Sequence, residues 1–379
     1  MDFDLGEADA LLVVGDSERL ADLFYVTGFR APDPFVFLWT RRERLLVLSD
    51  LELDRGRAQA RVDRVVASSV YERRLRQQGV ESPQQHEVLV ALAQDLGLKH
   101  LLVPAGFPLG LAESLRGAGL VLTVAATPLF PDRQHKTAAE VEAIRQALRT
   151  AEVGMAAALD LLRQSEVKGE VLHLNGEVLT SERVRRAIHR QLLEGDCTAT
   201  GTIVAGGDQG CDPHQEGHGP LRPGQPIIID IFPRSSTTGY FGDLTRTVVK
   251  GEAPAAVRAL FQTVQRGQRT ALDQIRAGVS GPLVHQAVLD LFTAAGYPTG
   301  ERDGHMEGFF HGTGHGLGLE IHEPPRIGTR GQALTAGQVV TVEPGLYYPG
   351  VGGVRLEDVV VVRPDGCENL TTFPVFLEL

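Results

Sequence analysis

The chain has 379 residues, 42% of them hydrophobic and 22% charged, the balance of an ordinary globular protein long enough for two domains. A formal net charge of −11 excludes a general nucleic-acid binder, which would be basic. Three cysteines (Cys197, Cys211 and Cys367) are too few and too scattered for a disulfide framework or a zinc knuckle. The N-terminal MDFDLGEADALLVV carries acids where a secretory signal would carry Lys or Arg, and no apolar run approaches the roughly 20 residues that cross a bilayer. A cytoplasmic protein with no membrane partner is expected.

Up to about residue 130 the runs ALLVVGD, PFVFLWT, RLLVLSD and HLLVPAG predict buried strands, and the segments near Leu51–Ala60 and Ser82–Leu96 predict helices. This is an α/β domain without a GxGxxG or GxxxxGK[ST] loop, so nucleotide binding has no local support. The pattern breaks around Pro131–Lys136. Thr137-Ala-Ala-Glu140 then has the form of a capping box ahead of a long helix, which places a domain boundary here: 1–132 and 133–379. A second helix is predicted at about Ser181–Glu194, followed by the Gly-rich TGTIVAGGDQGCDPHQEG. QPIIIDIF and TGYFGDLTRTVV flank the turn-like PRSST as a hairpin. One further helix is predicted from near Pro254 to Gly278, and another is capped by Ser280 with Pro282 in its first turn. Gly-rich strands run to the end, the terminal TTFPVFLEL included. Two helices and a hairpin, then two helices and strands, suggest an internal duplication.

Five residues in the second half suit metal chemistry: Asp230 in IIIDIF, Asp243 in GYFGDLTRT, His315 in HGTGHGLGLEIHE, Glu343 in TVEPGLY and Glu357 in GGVRLED. Taken alone, each carboxylate reads as a solvated strand-edge charge, and Asp243 as half of a surface ion pair with Arg246. Together they favour a shared site, because like charges this close need a cation to stay ionised. Four carboxylates and one imidazole form a hard, anionic set that suits two divalent cations. His311, His315 and His322 alternate with glycines that permit close backbone approach. The stretch is not HExxH, which excludes a single-zinc helix site.

These motifs, with IVAGGDQGCDPH, resemble in order those of the M24 metallopeptidases, the pita-bread family of methionine aminopeptidases, prolidases and aminopeptidases P. The resemblance runs from about Arg133 to the end. ADLFYVTGF is similar to a phrase in the prolidase and aminopeptidase P branch. The implied fold is a creatinase-type α/β N-terminal domain followed by an α+β pita-bread catalytic domain with a curved, mainly antiparallel sheet. The resemblance makes Asp230 a ligand of one metal, Asp243 and Glu357 bridges, and His315 and Glu343 ligands of the second metal. It gives Glu343 proton transfer, His322 the developing oxyanion, and His214 and His311 places beside the scissile bond. Arg326 and Arg355 fall where relatives carry arginines that contact substrate or support the site.

The family separates its two Asp by about eleven positions, against thirteen here, and the even insertion preserves the face that each strand presents. The gap from His214 to Asp230 is about one residue short of the family's. The implied activity is hydrolysis of Xaa-Pro bonds by a water shared between the two cations. The expected enzyme is a prolidase-type dipeptidase, with aminopeptidase P acting on longer peptides as the alternative and a catalytically silent peptide-binding module as the remote one. Mn²⁺ or Co²⁺ suit the ligand set, while Zn²⁺ binds more tightly in general. A homodimer is implied, acting on small peptides with proline second.

Overall fold

The computed structural model describes residues 3–379. The chain divides into two units, Met1–Arg133 and Gln134–Leu379. In the first, six strands lie side by side in the order Arg64–Ala67, Arg44–Leu48, Phe35–Thr40, Ala10–Gly15, His100–Val103, Val121–Val124. Period-two alternation builds a core on each face. Ala10, Leu12 and Val14 pack with Leu89 and Leu92 of the Gln85–Leu96 helix, whereas Leu11 and Val13 pack with Leu23, Phe29 and Phe130. The four strands and two helices expected from sequence are present. Three further helices, Ala21–Thr27, Ser68–Gln77 and Leu109–Gly117, join them.

The second unit begins with the capping box: Glu140 N–H donates to Thr137 Oγ1 (3.3 Å) and Thr137 N–H to Glu140 Oε2 (2.8 Å). The capped helix, Ala138–Gln164, lies against Ser181–Glu194. A second helix pair, Ala255–Gln274 and Gly281–Ala294, follows. Ser280 precedes the last of these, but its hydroxyl makes no capping bond.

Antiparallel strands separate the two helix pairs. Val339, Val359 and Val361 belong to the core beneath the first pair, and Val340, Val342, Val360 and Val362 to the core beneath the second. Burial on both faces is why these strands read as unbroken valine runs. The terminal TTFPVFLEL is not a strand. Pro374 lacks an N–H for a ladder, and apart from one bridge between Val249 and Glu378 the segment is irregular. Among the described residues no helix is long and apolar enough to cross a membrane.

Candidate metal centre

Strand alternation aims the carboxylates. In the strand Pro226–Ile231, Ile227, Ile229 and Ile231 enter the core beneath the first helix pair, so Asp230 must face the opposite side. Asp230 pairs directly with Thr245 of the strand Leu244–Val249. Asp243 lies two residues before Thr245 and therefore on the same face as Asp230. The longer connection closes on itself, with Arg234–Ser235 forming a two-residue strand against Cys197–Thr198 and Gly242 N–H donating to Pro233 O (3.0 Å). Gly242 packs on the first helix so closely that a Cβ would stand 2.4 Å from the Leu148 backbone nitrogen.

The other side of the site comes from the glycine-flanked strand Gly314–Gly316 and its neighbour Val339–Val342. A Cβ at Gly314 would lie 1.9 Å from Thr341 O, so this approach admits only glycine. It lets His315 N–H donate to Thr341 Oγ1 (3.0 Å), while that hydroxyl donates to Glu343 Oε1 (3.0 Å). Glu357 arrives from the opposite direction: its N–H donates to Thr245 O (3.0 Å) and its Oε2 accepts from Thr245 Oγ1 (2.7 Å).

One cavity of about 1270 Å³ is lined by all ten residues singled out from sequence: His214, Asp230, Asp243, His311, His315, His322, Arg326, Glu343, Arg355 and Glu357. Ligand atoms of Asp243, His315 and Glu357 lie within 4.8 Å of one another. His315 Nε2 stands 3.1 Å from Glu343 Oε1 and 3.8 Å from Asp243 Oδ2. His315 Nδ1 lies 3.1 Å from Gly316 O. A carbonyl only accepts, so Nδ1 donates there, and Nε2 is the ring nitrogen turned toward the carboxylates, where a cation would take it. His322 stands edge-on to His315 with ring centroids 4.3 Å apart.

The residues present fit divalent metal. Burial, then repulsion from Glu357, Asp230 and Glu343, pushes the Asp243 carboxyl well above the usual range. Burial, then Glu343 and Asp230, does the same to Glu357. Burial also raises Asp230, against the pull of Arg355. Glu343 goes the other way: burial raises it, but the hydrogen bond and charge of His315, with His311 and Arg355, bring it to about 2. Asp230 Oδ1 is buried with no hydrogen-bond partner. An orphaned oxygen and carboxylates that resist ionisation together are what cations would satisfy.

Sequence reasoning missed how Arg355 is held. It is 3% exposed, with Nη2 2.6 Å from Asp230 Oδ2 and Nη1 donating to Tyr347 Oη (3.0 Å). Tyr347 Oη lies 2.8 Å from His311 Nε2. His311 Nδ1 faces Gly312 O at 2.8 Å and must donate there, so neutral Nε2 accepts from the tyrosine. Burial lowers His311 to about 4 and raises Tyr347 to about 12, which keeps this proton arrangement through neutral pH. Arg355 thus acts on Asp230 from below. Arg326 is exposed to the cavity, as is Arg330, which the sequence did not single out. Tyr347→Phe is expected to lower kcat/KM by about 10- to 100-fold, the usual cost of losing a group that orients a ligand. Steady-state kinetics at saturating metal checks this, and an unchanged kcat/KM would contradict it.

The sequence pattern that defines Metallopeptidase family M24 matches residues 142–364. The chain belongs to this family. Membership makes it a metal-dependent peptidase, and its second unit is the family's pita-bread fold. It is 33% identical over 277 residues to the probable dipeptidase PepE of Mycobacterium tuberculosis (strain ATCC 25618 / H37Rv), covering 72% of this chain and 67% of that one. It is 29% identical over 242 residues to the Xaa-Pro dipeptidase of Pyrococcus furiosus, covering 62% of each. Among solved structures, the X-Pro aminopeptidase from Thermotoga maritima MSB8 superposes with a TM-score of 0.81 over 98% of both chains, at 25% identity.

Proposed function

We propose that this peptidase is an Xaa-Pro dipeptidase. Asp230, Asp243, His315, Glu343 and Glu357 would hold two divalent cations, Mn²⁺ or Co²⁺ by the hardness of the set. The observation that carries the reading is the convergence of these five residues with His214, His322 and Arg326 on one cavity. When bound, the cations supply Lewis acidity and a water acidic enough to act as a nucleophile near neutral pH. Glu343, held ionised, has Oε1 accepting from Thr341 Oγ1. That leaves Oε2 to take a proton and hand it to the departing nitrogen. His322, lowered to about 4 by burial and then by the nearby His315 and Arg326, is a neutral hydrogen-bond donor for the oxygen that becomes negative. His214 lines the approach beside it. In an Xaa-Pro bond the nitrogen carries no hydrogen, so the site needs no acceptor for one.

Arg326 would clamp the substrate carboxylate, for which its planar fork is suited. The N-terminal unit is proposed to be the creatinase-type domain of the prolidase branch, and the enzyme to work as a cytoplasmic homodimer. Comparing Xaa-Pro dipeptides with Xaa-Pro tripeptides tests the substrate assignment. A kcat/KM at least about tenfold higher for dipeptides is expected, with Arg326→Leu erasing the preference. Turnover confined to longer peptides would overturn it. One observation favours that second reading, aminopeptidase P. The cavity, at about 1270 Å³, exceeds the ~300–1,000 Å³ of common small-ligand sites.

The same site predicts a pH-dependent response to metal. Asp243 and Glu357 have folded-state pKa values raised above those of the unfolded chain. Their contribution to metal-free stability is therefore full below the unfolded carboxylate pKa and is lost as pH rises through the folded values. Glu343 has the opposite sign, but its losses fall at pH near 2, outside the working range. Metal binds the ionised forms. The rise in melting temperature on adding Mn²⁺ to chelated protein should thus grow from pH 5 to pH 8. At free metal 100-fold above Kd the gain is about 2.7 kcal/mol. A shift that shrinks over this range would contradict the assignment.

A further inference from the structure

We infer that Lys136 is a positioning residue for the substrate-facing strand, acting through a buried ion pair with Glu323; the inference rests on the functional reading above. The strand Glu323–Ile327 alternates buried and exposed: Glu323, Pro325 and Ile327 point inward, Pro324 and Arg326 outward. His322, one residue earlier, is exposed in the same alternation, and both His322 and Arg326 line the cavity. This short strand and the residue just before it therefore carry the oxyanion donor and the carboxylate clamp on one outer face. Its inner face carries a carboxylate.

A buried carboxylate is costly by several kcal/mol unless matched. Lys136 matches it: Nζ forms a close ion pair with Glu323 Oε1, the two side chains being 1% and 4% exposed. The pair joins residues 187 positions apart. Lys136 is itself a fixed post. Its N–H donates to Gly337 O (2.8 Å), His135 Nε2 lies 2.7 Å from Thr335 Oγ1, and the next residue, Thr137, caps the long helix.

The strand needs such a pin. Its register against Gly314–Gly316 is already irregular, shifting between His315 and Gly316, where Gly316 faces Glu323. A one-residue slip inverts a strand's faces, which here would bury His322 and Arg326 and expel Glu323. The Lys136–Glu323 pair opposes that slip, because leaving the register would break a buried ion pair.

The test uses the full-length, metal-loaded enzyme with Lys136→Met, Lys136→Arg and the charge-neutral double variant Lys136→Met/Glu323→Gln, assayed on Xaa-Pro dipeptides. Folded Lys136→Met is expected to bind as much metal as wild type. Its kcat should fall and its KM rise, lowering kcat/KM by about 10- to 100-fold, and Lys136→Arg should recover most of the loss. If Lys136→Met does not fold, the double variant, which removes both charges of the pair, carries the same expectation. Kinetics within twofold of wild type in a folded variant lacking the pair would overturn the inference, as would failure of both neutral variants to fold, which would assign the pair to folding alone. Wild-type enzyme inactive on every Xaa-Pro peptide would instead sink the underlying functional reading.

Discussion

Asp243→Ala is expected to abolish turnover and to leave the protein at least as stable without metal as wild type. The carboxylate is 4% exposed and stands among Glu357, Asp230 and Glu343, all of which repel it. Its removal relieves that repulsion in the metal-free state but takes away a ligand shared by the proposed cation pair. Metal polarisation is worth several kcal/mol at the transition state. At 1.36 kcal/mol per decade of rate, kcat/KM should drop by at least about 10³-fold. Metal per chain, measured by elemental analysis, should fall below the wild-type value while the chelated variant melts no lower. A variant that keeps its full metal complement and activity would remove Asp243 from the site.

The second large effect is structural. Arg246 is 2% exposed, and its guanidinium donates to Thr245 O (3.0 Å), Glu357 O (2.6 Å), Asp358 Oδ1 (2.9 Å), Phe373 O (2.6 Å) and Pro374 O (3.1 Å). It ties the hairpin carrying Asp243 to the turn carrying Glu357 and to the irregular C-terminal segment. Arg246→Met removes every one of these donors and leaves Asp358 buried beside Asn369. Loss of one partner of a buried pair costs about 3–5 kcal/mol. Urea denaturation should show that loss as a lower midpoint, and Arg246→Met/Asp358→Asn should regain part of it. A cost below about 1 kcal/mol would mean that the network contributes little.

The elements legible in the sequence were those whose pattern is local. Valine and isoleucine runs such as Ile227–Ile231 and Val359–Val362 announce strands covered on both faces. A carboxylate within such a run, as at Asp230, stands out because burial would be costly without a partner. Thr137 and Glu140 fix a helix start through bonds spanning three residues. The helix Ser68–Gln77 was not legible, because it buries only Tyr71 and shows no apolar stripe. Arg246 read as half of a surface pair, since nothing local reveals that the chain 127 residues later folds over it. The link from Asp230 through Arg355 and Tyr347 to His311 was also hidden. It depends on pairing Gly345 with Arg355 across one hairpin and on seating that hairpin against another sheet.

The shared face of Asp230 and Asp243 has a physical reason as well. A hairpin fixes which residues share a face whatever the length of an even insertion, so Asp230 and Asp243 stay on one side despite the longer turn. Arg326 is different: its position in the cavity is visible, but what it grips depends on the substrate.

Metal dependence is tested most directly by hydrolysis of an Xaa-Pro dipeptide by protein dialysed against chelator, assayed before and after Mn²⁺ or Co²⁺ is restored. The stripped enzyme is expected to show no turnover and full recovery on metal addition, with Asp243→Ala unresponsive. Turnover that survives complete metal removal, or none in the metal-loaded wild type, would contradict it.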